Sequence, residues 1–208
     1  MTQDAEGTLN AIILAGGKSR RLGTDKTVLE LGGKRLTEIV LEAVGGVARE
    51  AIVVTNSPHL FEDLPARLVS DVVAGAGPLG GILSGLLVSN RKHNLVVGCD
   101  MPFLNVGLLR YLGQLIDDHD VVIPRFNGYF EPLHAVYSRD CIEPIRALLA
   151  RRDFAIVDFL DQVRVRYVEQ DEIDALDPSH LSFFNVNTPE DLERAKAEVE
   201  RRRHLAAS

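Results

Sequence analysis

Short runs of branched apolar residues, most of them stopping at a glycine, an aspartate or a proline, alternate along this chain with stretches whose apolar positions fall three and four apart. Residues 10–15 (NAIILA) are apolar without alternation and stop at Gly16-Gly17, the pattern of a strand buried on both faces. In TEIVLEAV, from Thr37, the side chains of Ile39, Val40, Ala43 and Val44 share a helical face, and Gly45-Gly46 ends the helix. AIVVT (51–55) predicts a second buried strand and RLVSD (67–71) a weaker third. The small apolar residues of 80–88 predict a helix packed closely on a sheet. LVVGCD (95–100) predicts another buried strand, after which Asn105 caps the helix VGLLRYLGQLIDD. DVVIP (120–124) and EPLHAVY (131–137) read as two strands joined through a tight Asn127-Gly128 turn. Helices follow over 142–151 and near 156–160, and VRVRYV (163–168) alternates with period two, as a half-exposed edge strand does. In TPEDLERAKAEVERRR, Thr188 caps a last helix, Pro189 suits its first turn and Asp191 closes a capping box.

Strands alternating with helices imply an α/β fold with a mainly parallel sheet and a small antiparallel hairpin insertion. In such sheets ligands bind beyond the carboxyl ends of the strands, where the strand order reverses. Three segments qualify: the loop over 14–26, the loop over 71–81, and Asp100. At 208 residues one domain is expected, over 8–200, with 1–7 and 201–208 as flexible tails. The polar start MTQDAEGTL lacks a secretory pattern, and no apolar run approaches the roughly 20 residues of a membrane span. A cytoplasmic protein without membrane contact is expected. Cys99 and Cys141 are too far apart for metal-type spacing. A net charge of −7 argues against nucleic-acid binding, so any anionic ligand needs a local cluster of cations. Lys18, Arg20, Arg21 and Lys26 form one.

Two glycine loops compete for the phosphate role. GAGPLG (75–80) is a literal G-x-G-x-x-G, with Asp100 twenty residues beyond it in the place of a ribose-binding acid. Pro78, however, removes an N–H from a loop that would have to donate several, and the strand before it is short and distant. The first loop, LAGGKSRRLGTDK (14–26), lacks the Gly-Lys-Ser/Thr ending of a Walker A loop. Its glycines still let the backbone approach a phosphate, and its cations can neutralise charge that develops during phosphoryl transfer.

LAGGKSRRLGTDK, GPLGG (77–81), GCDMPFL (98–104) and FNVNTPEDL (184–192), in that order, resemble the molybdenum cofactor guanylyltransferases, the MobA family of the nucleotidyltransferases. The likeness runs from about residue 10 to 194. It implies a Rossmann-like fold of the nucleotide-diphospho-sugar transferase type. It also implies a reaction in which the terminal phosphate of molybdenum-molybdopterin attacks GTP, with Mg²⁺, giving the guanine dinucleotide and pyrophosphate. Carried over by motif, Leu14, Ala15, Gly16 and Gly17 form the nucleotide-contacting turn, Lys26 meets the phosphates, and Arg21 steadies the departing pyrophosphate. Asp71 contacts the nucleotide, Asp100 holds Mg²⁺, and Asn185 and Asn187 lie near the pterin. The family's asparagine after the second strand falls on Asn56, with Thr55 one residue away. Arg125, His134, Arg151 and Arg152 are basic residues that could meet the pterin phosphate.

Glycine at Gly16 and over 77–81, where related cytidylyltransferases carry LAAG and lack GPLxG, implies a preference for GTP over CTP. The alternatives are a guanylyl- or cytidylyltransferase acting on another phosphate acceptor, a non-catalytic nucleotide-binding protein of the same fold, and, more distantly, an NAD-binding oxidoreductase. Transient contact with cofactor-inserting proteins or acceptor molybdoenzymes is a further expectation of the resemblance.

Overall fold

The computed structural model describes residues 9–16, 29–73 and 75–206. Its elements are β1 (Leu9–Leu14), β2 (Glu30–Leu31), β3 (Lys34–Arg35), α1 (Leu36–Gly45), β4 (Ala48–Val54), β5 (Arg67–Val69), α2 (Gly77–Val88) and β6 (His93–Gly98). There follow α3 (Val106–Gln114), β7 (Val121–Phe126), β8 (Tyr129–Phe130), β9 (His134–Ser138), α4 (Ile142–Ala150), β10 (Val165–Val168), α5 (Gln170–Leu176) and α6 (Pro189–Ala206). The main sheet has the order β10-β7-β9-β6-β1-β4-β5, and β2 and β3 form a separate antiparallel ribbon. Along that path every pairing is parallel except those of β9, which runs against both β6 and β7. The architecture is therefore a Rossmann-like α/β domain, and the strand order reverses at β1, between β4 and β6.

Alternation within the buried strands sorts their side chains to two cores. Ala11 and Ile13 join Val40 and Val44 of α1 and Leu108, Leu109 and Leu112 of α3 on one face. Ile12 joins Leu79, Ile82 and Leu86 of α2 and Ile145 and Leu148 of α4 on the other. A smaller third cluster, Leu31, Leu36, Phe103, Val186 and Ala195, fastens the β2–β3 ribbon and α6 to the segment that follows β6.

Glycine sets how closely α2 meets β1. A Cβ built on Gly85 would lie 2.4 Å from Cγ2 of Ile12, a side chain with no exposed surface. In an unconstrained helix Gly→Ala gains about 1 kcal/mol. Here overpacking, which typically costs about 1–3 kcal/mol, outweighs that gain. Gly85→Ala is expected to lower Tm by roughly 5 °C in a thermal melt; a Tm at or above that of the native protein would contradict the close packing.

Several sequence expectations need correction. The return strand of the hairpin is broken in two. Asn127 and Gly128 take positive φ (50° and 81°) and turn the chain into β8, as expected, but the remainder of the return, β9, inserts into the main sheet between β6 and β7. The small separate antiparallel unit is β2–β3, two residues on each side. The final helix, read from the sequence as far as Arg203, continues through Ala206. Helix α5 was unforeseen. It starts on a capping box in which Glu172 accepts the N–H of Glu169 at 3.0 Å, and it buries Ile173. The caps at Asn105 and Thr188 match expectation: Asn105 Oδ1 accepts the N–H of Leu108 at 3.1 Å, and Thr188 and Asp191 bond each other's N–H.

Candidate active site

Parallel strands deliver their carboxyl ends to one edge of the sheet, and the reversal at β1 leaves a crevice there. Leu14 and Gly98, the last residues of β1 and β6, are register partners, and the N–H of Cys99 donates to Leu14 O at 3.1 Å. On the other side the N–H of Ala15 donates to Val54 O at 2.9 Å. Leu14, Ala15 and Gly16 thus leave the sheet at the crevice, pinned from both sides. A Cβ on Gly16 would meet no described atom within 4 Å. Gly17, Arg21 and Lys26 lie outside the described residues.

Asp100 lies two residues beyond the end of β6, and Gly98 leaves room for it: a Cβ there would lie 2.7 Å from Asp100 Oδ1. Its main chain recruits the asparagine segment, because the N–H of Val186 donates to Asp100 O at 2.9 Å. Val186 is fully buried, which fixes Asn185 and Asn187 on either side of that bond. Asn185 Nδ2 donates to Phe183 O at 3.0 Å, while Asn187 is exposed and donates its N–H to Asp191. The segment before them is tied to the start of α3, since Ser182 Oγ accepts the N–H of Asn105 at 2.7 Å. The structure therefore ties the segment carrying Asn185 and Asn187 to the main chain of Asp100.

Asn56 and Asp71 form a second group, at the ends of β4 and β5. The N–H of Asp71 donates to Asn56 Oδ1 at 3.2 Å. Thr55 is buried and its hydroxyl accepts the N–H of Ser57 at 3.1 Å, so of the two candidates Asn56 is the one turned toward Asp71. The first turn of α2 lies against this loop, and a Cβ on Gly80 would come within 3.1 Å of Asp71 Oδ1 and 2.9 Å of Ala76 Cβ. Pro78 falls in that first turn, where an N–H has no helical acceptor in any case. The G-x-G-x-x-G run is thus a helix start built to admit Asp71.

The basic residues proposed for an acceptor separate. Arg125 is paired with Glu169 at 2.8 Å, and Arg151 and Arg152 are exposed after α4. His134 has no exposed surface, packs its ring against Phe183 at 5.0 Å between centroids, and burial pushes its pKa down to about 4. Neutral at ordinary pH, it is not a cation for a phosphate. Nearby in sequence, burial pushes the carboxyl of Glu131 up to about 7. What the sequence reading missed is Ser84, a fully buried hydroxyl on α2 that reaches the Asp71 loop. A lone serine in a glycine-rich apolar helix reads only as a small packing residue.

No group of three or more His, Cys, Asp or Glu side chains converges among the described residues. A single carboxylate still fits Mg²⁺, which is commonly held by one or two carboxylates together with phosphate oxygens.

An α/β sheet that reverses at its first strand, with a carboxylate beyond the neighbouring strand and a glycine-started helix beside the Asp71 loop, has the strand-end crevice in which doubly wound folds bind nucleotides. The chain belongs to the MobA-like NTP transferase family, whose model matches residues 11–166. It is 39% identical over 192 residues, covering 92% of this chain and 94% of the other, to a probable molybdenum cofactor guanylyltransferase of Pelotomaculum thermopropionicum. It is 35% identical to the molybdenum cofactor guanylyltransferase of Syntrophotalea carbinolica, covering 89% of each chain. The crystal structure of molybdopterin-guanine dinucleotide biosynthesis protein A from Archaeoglobus fulgidus superposes with a TM-score of 0.81, at 29% identity, covering 93% of this chain and all of that one. Among the described residues no helix is long and apolar enough to cross a membrane.

Proposed function

We propose that this protein transfers GMP from GTP to the terminal phosphate of molybdenum-molybdopterin, releasing pyrophosphate. The observation that carries this reading is the likeness to guanylyltransferases over about nine-tenths of both chains, which includes the segments after β6 and before α6 as well as the nucleotide half. A phosphate oxygen of the acceptor attacks the α-phosphorus of GTP. The bond from that phosphorus to the oxygen bridging the β-phosphate breaks, and the electron pair leaves with pyrophosphate. The acceptor phosphate is itself the nucleophile, so no activated serine, cysteine or histidine is needed.

Each residue in this scheme positions or neutralises. Leu14, Ala15, Gly16 and Gly17 offer main-chain groups to the nucleotide, with Asn56 and Asp71 at the ends of the neighbouring strands β4 and β5. Lys26 meets the phosphate charge and Arg21 steadies the departing pyrophosphate, so that charge building up in an in-line displacement is met by cations. Asp100 would hold Mg²⁺, and Asn185 and Asn187, carried by the same main-chain bond, would face the acceptor. When bound, Mg²⁺ supplies Lewis-acid polarisation of phosphate oxygens.

Glycine at Gly16 and the GPLGG segment over 77–81, which give the backbone close approach to a ligand, support a purine. The protein is expected to use GTP at least about 100-fold more efficiently than CTP, in line with what pocket shape alone can discriminate. Competing GTP and CTP against one pool of molybdenum-molybdopterin and identifying the dinucleotide formed checks this; equal guanine and cytosine products would overturn the base assignment. A different phosphate acceptor would leave the base preference intact and abolish dependence on molybdopterin.

A further inference from the structure

Asp71 is held from outside its own loop. Its Oδ1 accepts the N–H of Val73 at 3.0 Å and lies 3.2 Å from Ser84 Oγ, on α2. The same hydroxyl accepts the N–H of Val72 at 2.9 Å and donates to Gly80 O, one turn back along the helix, at 2.7 Å. A buried helical serine ordinarily satisfies itself with that backward bond alone. Here its single proton is shared between the Gly80 carbonyl and the Asp71 carboxylate, while its lone pair holds the next residue's main chain.

Packing cannot do that holding, because Val72 leaves 57% of its surface exposed. The hydroxyl is therefore a principal tether between the loop and the helix. Among the described residues Oδ1 is committed to Val73 and Ser84, and Oδ2 is the oxygen of Asp71 left to receive a hydrogen bond from a ligand. The absent side chain at Gly80 gives the carboxylate its seat over the helix start.

We propose that Ser84 is a positioning residue for nucleotide binding: it orients the Asp71 carboxylate and the Val72 main chain, and so sets the affinity for GTP rather than the rate of the chemical step. This rests on the reading of Asp71 as a nucleotide contact. Steady-state kinetics on the full chain with saturating molybdenum-molybdopterin, for Ser84→Ala, Ser84→Cys, Asp71→Ala and the Ser84→Ala/Asp71→Ala double variant, separates the two. Ser84→Ala should raise the KM for GTP about tenfold with kcat within about twofold, as expected for loss of one hydrogen-bonded link to a charged group. Ser84→Cys, which keeps the volume and weakens the hydrogen bonds, should follow it. On the Asp71→Ala background the serine substitution should change KM by less than about twofold, because both act through one contact.

An unchanged KM in Ser84→Ala, a native KM in Ser84→Cys, a fall in kcat alone, or an undiminished tenfold effect on the Asp71→Ala background would each overturn the proposal while leaving Asp71 in place. A native KM in Asp71→Ala itself would remove the nucleotide contact, and the role of Ser84 with it.

Discussion

Asp100→Asn is expected to lower turnover of GTP by at least about a thousandfold, because Lewis-acid stabilisation of transferring phosphate is worth several kcal/mol and each 1.4 kcal/mol is about tenfold. The substitution keeps the size of the side chain and removes only its charge. It also keeps the main-chain carbonyl that accepts the N–H of Val186, so the segment carrying Asn185 and Asn187 stays in place. Tm and circular dichroism should match the native protein while kcat collapses at any Mg²⁺ concentration. Turnover within about fivefold of native would overturn the proposal that Asp100 holds Mg²⁺.

On the proposed role of Lys26, Lys26→Ala is expected to lower kcat by about a hundred- to a thousandfold, the usual cost of removing one group that stabilises developing charge. The distinction that matters is between kcat and KM. A cation that meets the phosphates only in the ground state would raise KM and leave kcat alone, whereas one that neutralises charge in the transition state lowers kcat. Single-turnover kinetics at saturating GTP reads this directly. A change confined to GTP affinity would reduce Lys26 to an anchor.

Much of this fold was legible because burial on both faces writes itself into composition. NAIILA, AIVVT and LVVGCD could be little other than central strands, and they are β1, β4 and β6. Caps and turns were legible for a local reason: Asn105, Thr188 with Asp191, and Asn127-Gly128 act on main-chain groups within four residues of themselves. The placement of β9 was not legible, since nothing in EPLHAVY distinguishes a strand paired with β7 alone from one that also pairs with β6. The deciding contact, Val97 opposite His134, joins residues far apart in sequence. Helix α5 hid because QDEIDAL buries only Ile173, too few apolar positions to show a period.

The site divides along the same line. Asp100 and Asp71 stood out as acids at strand ends, where position alone implies exposure to a ligand. The bond between Val186 and Asp100, the lean of Asn56 toward Asp71, and the reach of Ser84 across to the same carboxylate are tertiary, and no spacing rule encodes them. His134 shows the converse. Its residue type suggested a phosphate ligand, but the neighbouring Phe183 and complete burial leave it neutral and enclosed.

The most direct test of the proposed reaction is pyrophosphate release from GTP, measured with and without molybdenum-molybdopterin under otherwise identical conditions. Release that depends on the pterin, matched mole for mole by the guanine dinucleotide, is the result expected of this protein. Release that is indifferent to the pterin, or none in its presence, would contradict the transfer of GMP to that acceptor.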